Sequence, residues 1–211
     1  MTTTKTSRTV RTKVYKFAGL SKEAKEKAVE NILETIYNYG YNWADEAHES
    51  IKRFCEAFGL TYKSSNFSPY AEADVRDSQI DDNILELSGV RLRTYILNNY
   101  YHLLYDRKHY GELRKTESGK YKYQRYSRCQ WKQTECQFTG YCMDDSLLFP
   151  IRQFVSKPSN LTFAELMEEC ISEWVKDASS DCKEQESYEY LAEHIEANEY
   201  EFLKDGTRSP F

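Results

Sequence analysis

Helical and strand-like segments follow one another in this chain without a regular alternation, and this order limits the folds open to it. From Thr162 to Trp174, apolar residues recur every three or four positions, and Thr162 with Glu165 forms a helix-capping pair. Residues 60–67 and 70–78 instead have the composition of two short strands. We therefore predict an α+β fold in which an antiparallel sheet packs against several helices.

Cap and breaker residues set the boundaries of the elements. Ser21 is suited to cap a helix that ends at Gly40, and Gly59 is suited to end a second helix that begins near Asn42. Further helices are predicted at residues 80–105, 144–155, 163–176 and 187–197. Further strands are predicted at residues 13–17, 121–128, 130–139 and 199–203, and a charged loop at 106–120.

The size of the chain allows it to fold without a metal or a disulfide. Its 211 residues are 40% hydrophobic and 30% charged, which is typical of a globular protein with its own core. We predict a flexible basic arm at residues 1–12 and a single domain at 13–211. There is no apolar run long enough for a membrane span and no apolar segment typical of a secretory signal, so we expect a cytoplasmic protein.

The charges are distributed unevenly along the chain. Between Arg91 and Lys132 there are eleven lysines and arginines against three acids, whereas between Glu165 and Asp205 there are fourteen acids against three lysines. The basic middle could contact the phosphates of a nucleic acid, and the acidic end could contact a basic partner. Alternatively, the two regions neutralise each other within the fold.

The basic middle also contains interleaved aromatic residues. Single-strand binders combine stacking aromatics with a basic groove, so this segment is a candidate nucleic-acid site. A ladder of tyrosines that only packs a sheet has the same pattern, and this interpretation stays open. The candidate residues are Tyr121, Lys122, Tyr123, Arg125, Arg128, Trp131 and Lys132.

The six cysteines do not have the spacing of a common zinc site, because none forms a C-x-x-C pair. A site made of Cys129, Cys136 and Cys142, with His109 as fourth ligand, remains open. The sequence favours buried free thiols instead, as expected in a reducing cytoplasm. We therefore predict no metal and no cofactor.

The sequence also contains no known catalytic motif. There is no H-E-x-x-H, nucleophile elbow, P-loop or G-x-G-x-x-G. We expect a protein that is not an enzyme. The alternative is an enzyme of unrecognised type, which needs a pocket that gathers a histidine or cysteine with carboxylates.

Three segments spread over most of the chain form a recognisable pattern. They are residues 15–28, residues 194–202 and a central motif, which is Cys136-x-x-Thr139-Gly140-Tyr141-Cys142-x-Asp144-x-x-Leu147-x-x-Pro150-Ile151-x-x-Phe154, followed by Lys157-Pro158 and Phe163-x-x-Leu166. In these segments the sequence resembles a family of small proteins encoded by bacteriophages and prophages, some of them labelled as antitoxins of toxin–antitoxin systems.

This resemblance implies a function in binding and gives no catalytic residues. Accessory phage proteins of this kind commonly inhibit host defence, as anti-CRISPR and anti-restriction proteins do, and some use acidic surfaces. The expected partner is a host defence protein or protein–nucleic-acid complex. The alternatives are a nucleic-acid-binding accessory protein and an antitoxin-like protein. The predicted partner-binding residues lie on the helix that begins at residue 163, and they are Glu168, Glu169, Glu173 and Asp177.

Overall fold

The computed structural model describes residues 12–77, 79–104, 110–115, 121–125, 138–139 and 143–209. It confirms the α+β class. The helices are α1 (Lys22–Tyr39), α2 (Ala44–Phe58), α3 (Asp82–Leu85), α4 (Gly89–Asn99), α5 (Tyr101–Leu104), α6 (Met143–Ser156), α7 (Phe163–Gln185) and α8 (Tyr188–Ala197). The strands are β1 (Tyr15–Lys16), β2 (Thr61–Asn66), β3 (Glu72–Arg76), β4 (Tyr110–Lys115), β5 (Tyr121–Arg125) and β6 (Glu201–Phe202).

The predicted cap residues lie at the helix ends. The Ser21 hydroxyl accepts a 3.3 Å hydrogen bond from the backbone N–H of Ala24, so it closes the first turn of α1. Gly59 ends α2 in the left-handed conformation, with a φ of 76°, and its N–H donates to the Cys55 carbonyl. These boundaries follow from local chemistry, which is why the sequence predicted them.

The helix α7 begins as predicted but is longer than expected. Thr162 and Glu165 form the capping box: the Glu165 N–H donates to the Thr162 hydroxyl at 3.2 Å, and the Glu165 carboxylate accepts from the Thr162 N–H at 2.8 Å. The helix continues past residue 176 because Ala178 and Cys182 prolong the buried stripe at steps of four residues.

The described strands form three separate antiparallel pairs, β1 with β6, β2 with β3, and β4 with β5. The predicted strands of the second pair are confirmed. The strand β5 pairs with β4, which lies in the segment 106–120 that was predicted to be a loop. The predicted partner of β5 was a different segment. The segment predicted to pair with it, residues 130–139, is described at residues 138–139 alone, where the backbone bends.

The chain divides into two compact units, Met1–Tyr41 with Asp181–Phe211, and Asn42–Ser180. In the first unit, α1 and α8 enclose a core that includes Ile32, Ile195 and Phe202, with the rings of Phe17 and Phe202 6.3 Å apart. The prediction of one domain at residues 13–211 stays a prediction.

The second unit contains the largest buried aromatic residues. The rings of Phe54 and Phe58 on α2 lie 4.7 Å apart, and Phe58 packs against Tyr100 at 4.5 Å. Trp174 of α7 is fully buried and lies 5.6 Å from Phe67. None of the helices in the described part of the chain is both long and apolar enough to cross a bilayer.

Candidate apolar and acidic surface on α6 and α7

The helix α6 carries more apolar residues than one helix face can bury. Residues 147–151 are consecutively apolar, and Leu147, Leu148, Pro150 and Ile151 are buried. Phe149 lies between them and remains 48% exposed. Because a helix in contact with a core buries only a stripe along its surface, one member of such a run must face outward. Phe149 is therefore a large aromatic side chain at the surface of the second unit.

This exposed phenylalanine lines a cavity of about 620 Å³. The residues that line the cavity come from α6, including Phe154, from the loop that leads to Leu161, and from α7, which contributes Glu169. The cavity also includes the polar side chains of Gln153 and Lys157. We call it the Phe149 groove, and its volume is typical of a ligand pocket.

Glu169 connects this groove with the acidic residues predicted from the sequence. Glu168 and Glu169 are both exposed, and neither forms an ion pair with a lysine, arginine or histidine within the described part of the chain. Adjacent residues on a helix point about 100° apart around its axis, so the two carboxylates occupy neighbouring sectors of the α7 surface. Only Glu169 lines the groove.

The other two predicted residues are already engaged within the second unit. Glu173 is partly buried, and its carboxylate accepts hydrogen bonds from Lys176 at 3.2 and 3.3 Å. Asp177 is exposed and accepts a hydrogen bond from the hydroxyl of Ser146 on α6. The four acids therefore differ in availability, and Glu168 and Glu169 are the two that lack an intramolecular partner among the described contacts.

The basic aromatic segment has a defined backbone register over part of its length. In the pair of β4 with β5, Lys122 lies opposite Arg114, and Tyr121 lies opposite Lys115. Tyr123 and Arg125 are paired with Leu113 and Tyr110. Of the remaining candidates, Arg128, Trp131 and Lys132 lie outside the described residues.

The cysteines that the structure describes are buried free thiols, as the sequence favoured. They are Cys55, Cys170 and Cys182. Burial raises the pKa of the Cys55 thiol to about 12 and that of Cys170 well above its ordinary value, so both stay protonated at neutral pH. The described residues contain no cluster of three metal-binding side chains, whereas Cys129, Cys136, Cys142 and His109 lie outside them.

One histidine of the second unit belongs to a hydrogen-bonded network. The Nδ1 atom of His48 lies 2.6 Å from the Ser65 hydroxyl and 3.2 Å from that of Tyr62, and these hydroxyls lie 2.9 Å apart. The ring of Phe67 packs against the imidazole at 4.5 Å. Burial lowers the pKa of His48, which favours the neutral ring. These contacts connect α2 to β2 and are typical of a structural histidine.

The sequence contains a signal for the Phe149 groove in the apolar run of α6, apart from any catalytic motif. A run of five apolar residues is wider than the stripe of a surface helix, and it predicts one outward-facing side chain. Its position, Phe149, and the loop that faces it depend on tertiary packing. Comparison with models of protein families, with curated proteins and with solved structures finds no match for this chain.

Proposed function

We propose that this chain is a phage-encoded, non-enzymatic binding protein that inhibits a host defence component. Its partner is a protein, or a protein–nucleic-acid complex, of a CRISPR or restriction type of system in the host cytoplasm. One observation carries the proposal: Glu169 is exposed, lacks a cationic partner among the described residues, and lines an apolar groove together with Phe149.

This combination matches the physical requirements of a protein–protein contact. Exposed carboxylates attract a basic partner surface and determine its orientation, mainly through the association rate and specificity. Aromatic side chains in recesses supply most of the binding energy at such contacts. Glu168 extends the negative charge beside the groove. Glu173 and Asp177 lie on the same helix, and in this proposal they are secondary contacts because each already has an intramolecular partner.

Affinity purification from infected host cells tests the proposal. Three tagged proteins are compared by quantitative mass spectrometry: the wild type, the double variant Glu168→Lys/Glu169→Lys, and the control Glu193→Lys/Glu196→Lys. The control changes two exposed glutamates of α8 and gives the same net charge.

The proposal predicts that the wild type and the Glu193→Lys/Glu196→Lys control recover the same host protein in equal amounts. Because reversal of two charges at a contact costs at least one factor of ten in affinity, recovery by the Glu168→Lys/Glu169→Lys variant should fall about tenfold or more. Equal recovery of every host protein by all three would contradict it. Circular dichroism of the purified variants establishes that they remain folded.

A second candidate function is nucleic-acid binding by the hairpin of β4 and β5. The backbone register pairs Arg114 of β4 with Lys122 of β5, so basic residue types stand at paired positions of the two strands. Lysine and arginine are the residue types that contact the phosphates of a nucleic acid. This function predicts that the protein binds single-stranded DNA and that the binding weakens steeply as the salt concentration rises. The double variant Lys122→Glu/Arg125→Glu should abolish this binding. Absence of a gel shift at low salt would exclude it. The antitoxin-like alternative stays a prediction from the resemblance.

A further inference from the structure

We propose that the Phe149 groove is the anchor pocket for a partner segment in which an apolar side chain stands next to an arginine or lysine. This inference rests on the proposed function, because it names the chemistry of the partner at the same surface. The apolar side chain would occupy the groove, and the basic residue would pair with Glu169.

The apolar part of the inference rests on Phe149 and Leu161. Phe149 is about half exposed and borders the cavity, whereas its neighbours along α6 are buried in the core. Leu161 borders the cavity from the connecting loop. An exposed aromatic ring beside a recess of this volume is typical of a binding site, because an incoming apolar side chain removes both surfaces from water.

The walls of the groove are held by hydrogen bonds at both helix ends. The guanidinium of Arg93 donates to the Val155 carbonyl at 2.8 Å, which fixes the last turn of α6. On the other side, the capping box of Thr162 and Glu165 fixes the first turn of α7. Because a preformed pocket loses little conformational freedom on binding, such a site can hold a short segment.

On the α7 side of the groove, the carboxylate of Glu169 favours a basic residue in the bound segment. Glu169 is exposed and without an ion pair among the described residues, and Glu168 adjoins it. Lys157, on the loop side, is exposed and opposes a basic ligand. Arg152 contributes no net charge, since it pairs with Asp145. Replacement of Glu169 by lysine should therefore weaken the binding of a basic segment, and replacement of Lys157 by glutamate should strengthen it.

A titration followed by ¹⁵N–¹H NMR tests this directly. The probe is an amidated pentapeptide with one tryptophan between two arginines. Its matched controls carry glutamates in place of the arginines, or alanine in place of the tryptophan. The proteins are the wild type, Phe149→Ala, Glu169→Lys and Lys157→Glu. All three substitutions are at exposed positions, so the fold should tolerate them.

The arginine–tryptophan peptide should shift the amide signals of Gln153, Leu161 and Glu169, and the control peptides should bind at least about fivefold more weakly. Phe149→Ala and Glu169→Lys should each weaken binding to a similar degree, whereas Lys157→Glu should strengthen it. Equal binding of the glutamate peptide, no shift at the groove, or concentration-dependent shifts of the free protein that reveal self-association would each overturn the inference.

The two proposals fail in different ways. If charge reversal at Glu168 and Glu169 abolishes partner recovery while the peptide leaves the groove signals unchanged, the acidic surface is used and the groove is not its anchor. If the peptide binds as expected while all three purified baits recover the same host proteins, the groove recognises basic apolar segments and the proposed inhibitory function is wrong.

Discussion

The carboxylate of Asp144 accepts a 2.6 Å hydrogen bond from the backbone N–H of Phe138, although Asp144 is completely buried. The same carboxylate oxygen accepts from the Thr139 N–H at 3.0 Å, and its other oxygen accepts from the buried hydroxyl of Ser50 on α2. Asp144 thereby connects the first turn of α6 with Ser50 on α2 and with the backbone of residues 138–139.

Removal of this carboxylate should therefore destabilise the protein strongly. Asp144→Ala leaves the buried Ser50 hydroxyl and the partly buried N–H groups of Phe138 and Thr139 without this acceptor, and we expect the free energy of unfolding to fall by about 2–4 kcal/mol. Urea unfolding followed by circular dichroism measures it. The control Asp82→Ala, at an exposed position of α3, should change the stability by less than about 0.5 kcal/mol. An equally small effect of Asp144→Ala would show that the network is dispensable.

The first unit contains a partly buried tyrosine, Tyr41, whose ionisation opposes folding. The Tyr41 hydroxyl donates to Glu186 at 2.5 Å. Burial, followed by this hydrogen bond, raises the pKa of Tyr41 above its ordinary value of 10.0. The folded state therefore keeps the proton where the unfolded state loses it, so this contribution to stability is complete below pH 10 and is lost above it.

Tyr41→Phe should lower the free energy of unfolding by about 1 kcal/mol at pH 7. The difference between wild type and variant should shrink as the pH rises above 10, because only the wild type carries the ionisable hydroxyl. Chemical unfolding at pH 8 to 11 measures this difference. Tyr39→Phe is the control, since Tyr39 is 86% exposed. A difference that stays constant with pH would contradict the assignment.

An exposed ion pair lowers the pKa of the carboxyl group in the turn after β6. Lys27 donates to Asp205 at 2.6 Å and the Thr207 N–H donates at 3.1 Å, which together lower the pKa of Asp205 to about 2. Its contribution to stability is thus present above pH 3.8 and is lost as the pH falls toward 2. Lys27→Met should raise the pKa of Asp205 toward 3.8, whereas Lys22→Met should not. Carboxyl ¹³C NMR titration measures this, and an unchanged pKa would refute the pairing.

The same turn requires a glycine for two reasons. Gly206 has a φ of 86°, and a Cβ atom added there would lie 2.1 Å from the Ala24 carbonyl oxygen of α1. We expect Gly206→Ala to lower the free energy of unfolding by about 3 kcal/mol or more. At Gly59 the φ is also positive, but the nearest atom is 3.7 Å away, so Gly59→Ala should cost only about 1 kcal/mol. Thermal unfolding of the Gly206→Ala and Gly59→Ala variants measures both losses of stability. Equal losses would contradict the predicted clash at Gly206.

Local signals predicted several helix ends well, because those ends depend on residues close in sequence. The Ser21 cap, the glycine after α2 and the capping box of Thr162 with Glu165 all act within one turn. The segment 80–105 is an exception: it was predicted as one helix and forms α3, α4 and α5 instead. The end of α7 could not be predicted in this way. Its extra turns are stabilised by the burial of Ala178 and Cys182, and that burial depends on tertiary packing.

The pairing of β4 with β5 and the position of the Phe149 groove depend on contacts between residues of different elements, and a local sequence pattern does not predict such contacts. The segment of β4 includes Gly111 and several charges, so it has a weak strand pattern, and only its pairing with β5 identifies it. On α7, helix periodicity placed acids away from the apolar stripe. It could not foresee that Asp177 would bind Ser146 of another helix, nor that Glu169 would border a groove.

We propose that Glu168 and Glu169 carry the inhibitory activity of the protein. The most direct test is the efficiency of plating of a phage on bacteria with an active CRISPR or restriction system that express the wild type, Glu168→Lys/Glu169→Lys or Glu193→Lys/Glu196→Lys at equal levels. We predict that the wild type and the α8 control restore plaques, and that charge reversal on α7 removes at least about nine-tenths of this effect. Full plaque formation with the α7 variant would show that these two glutamates are not needed for the activity.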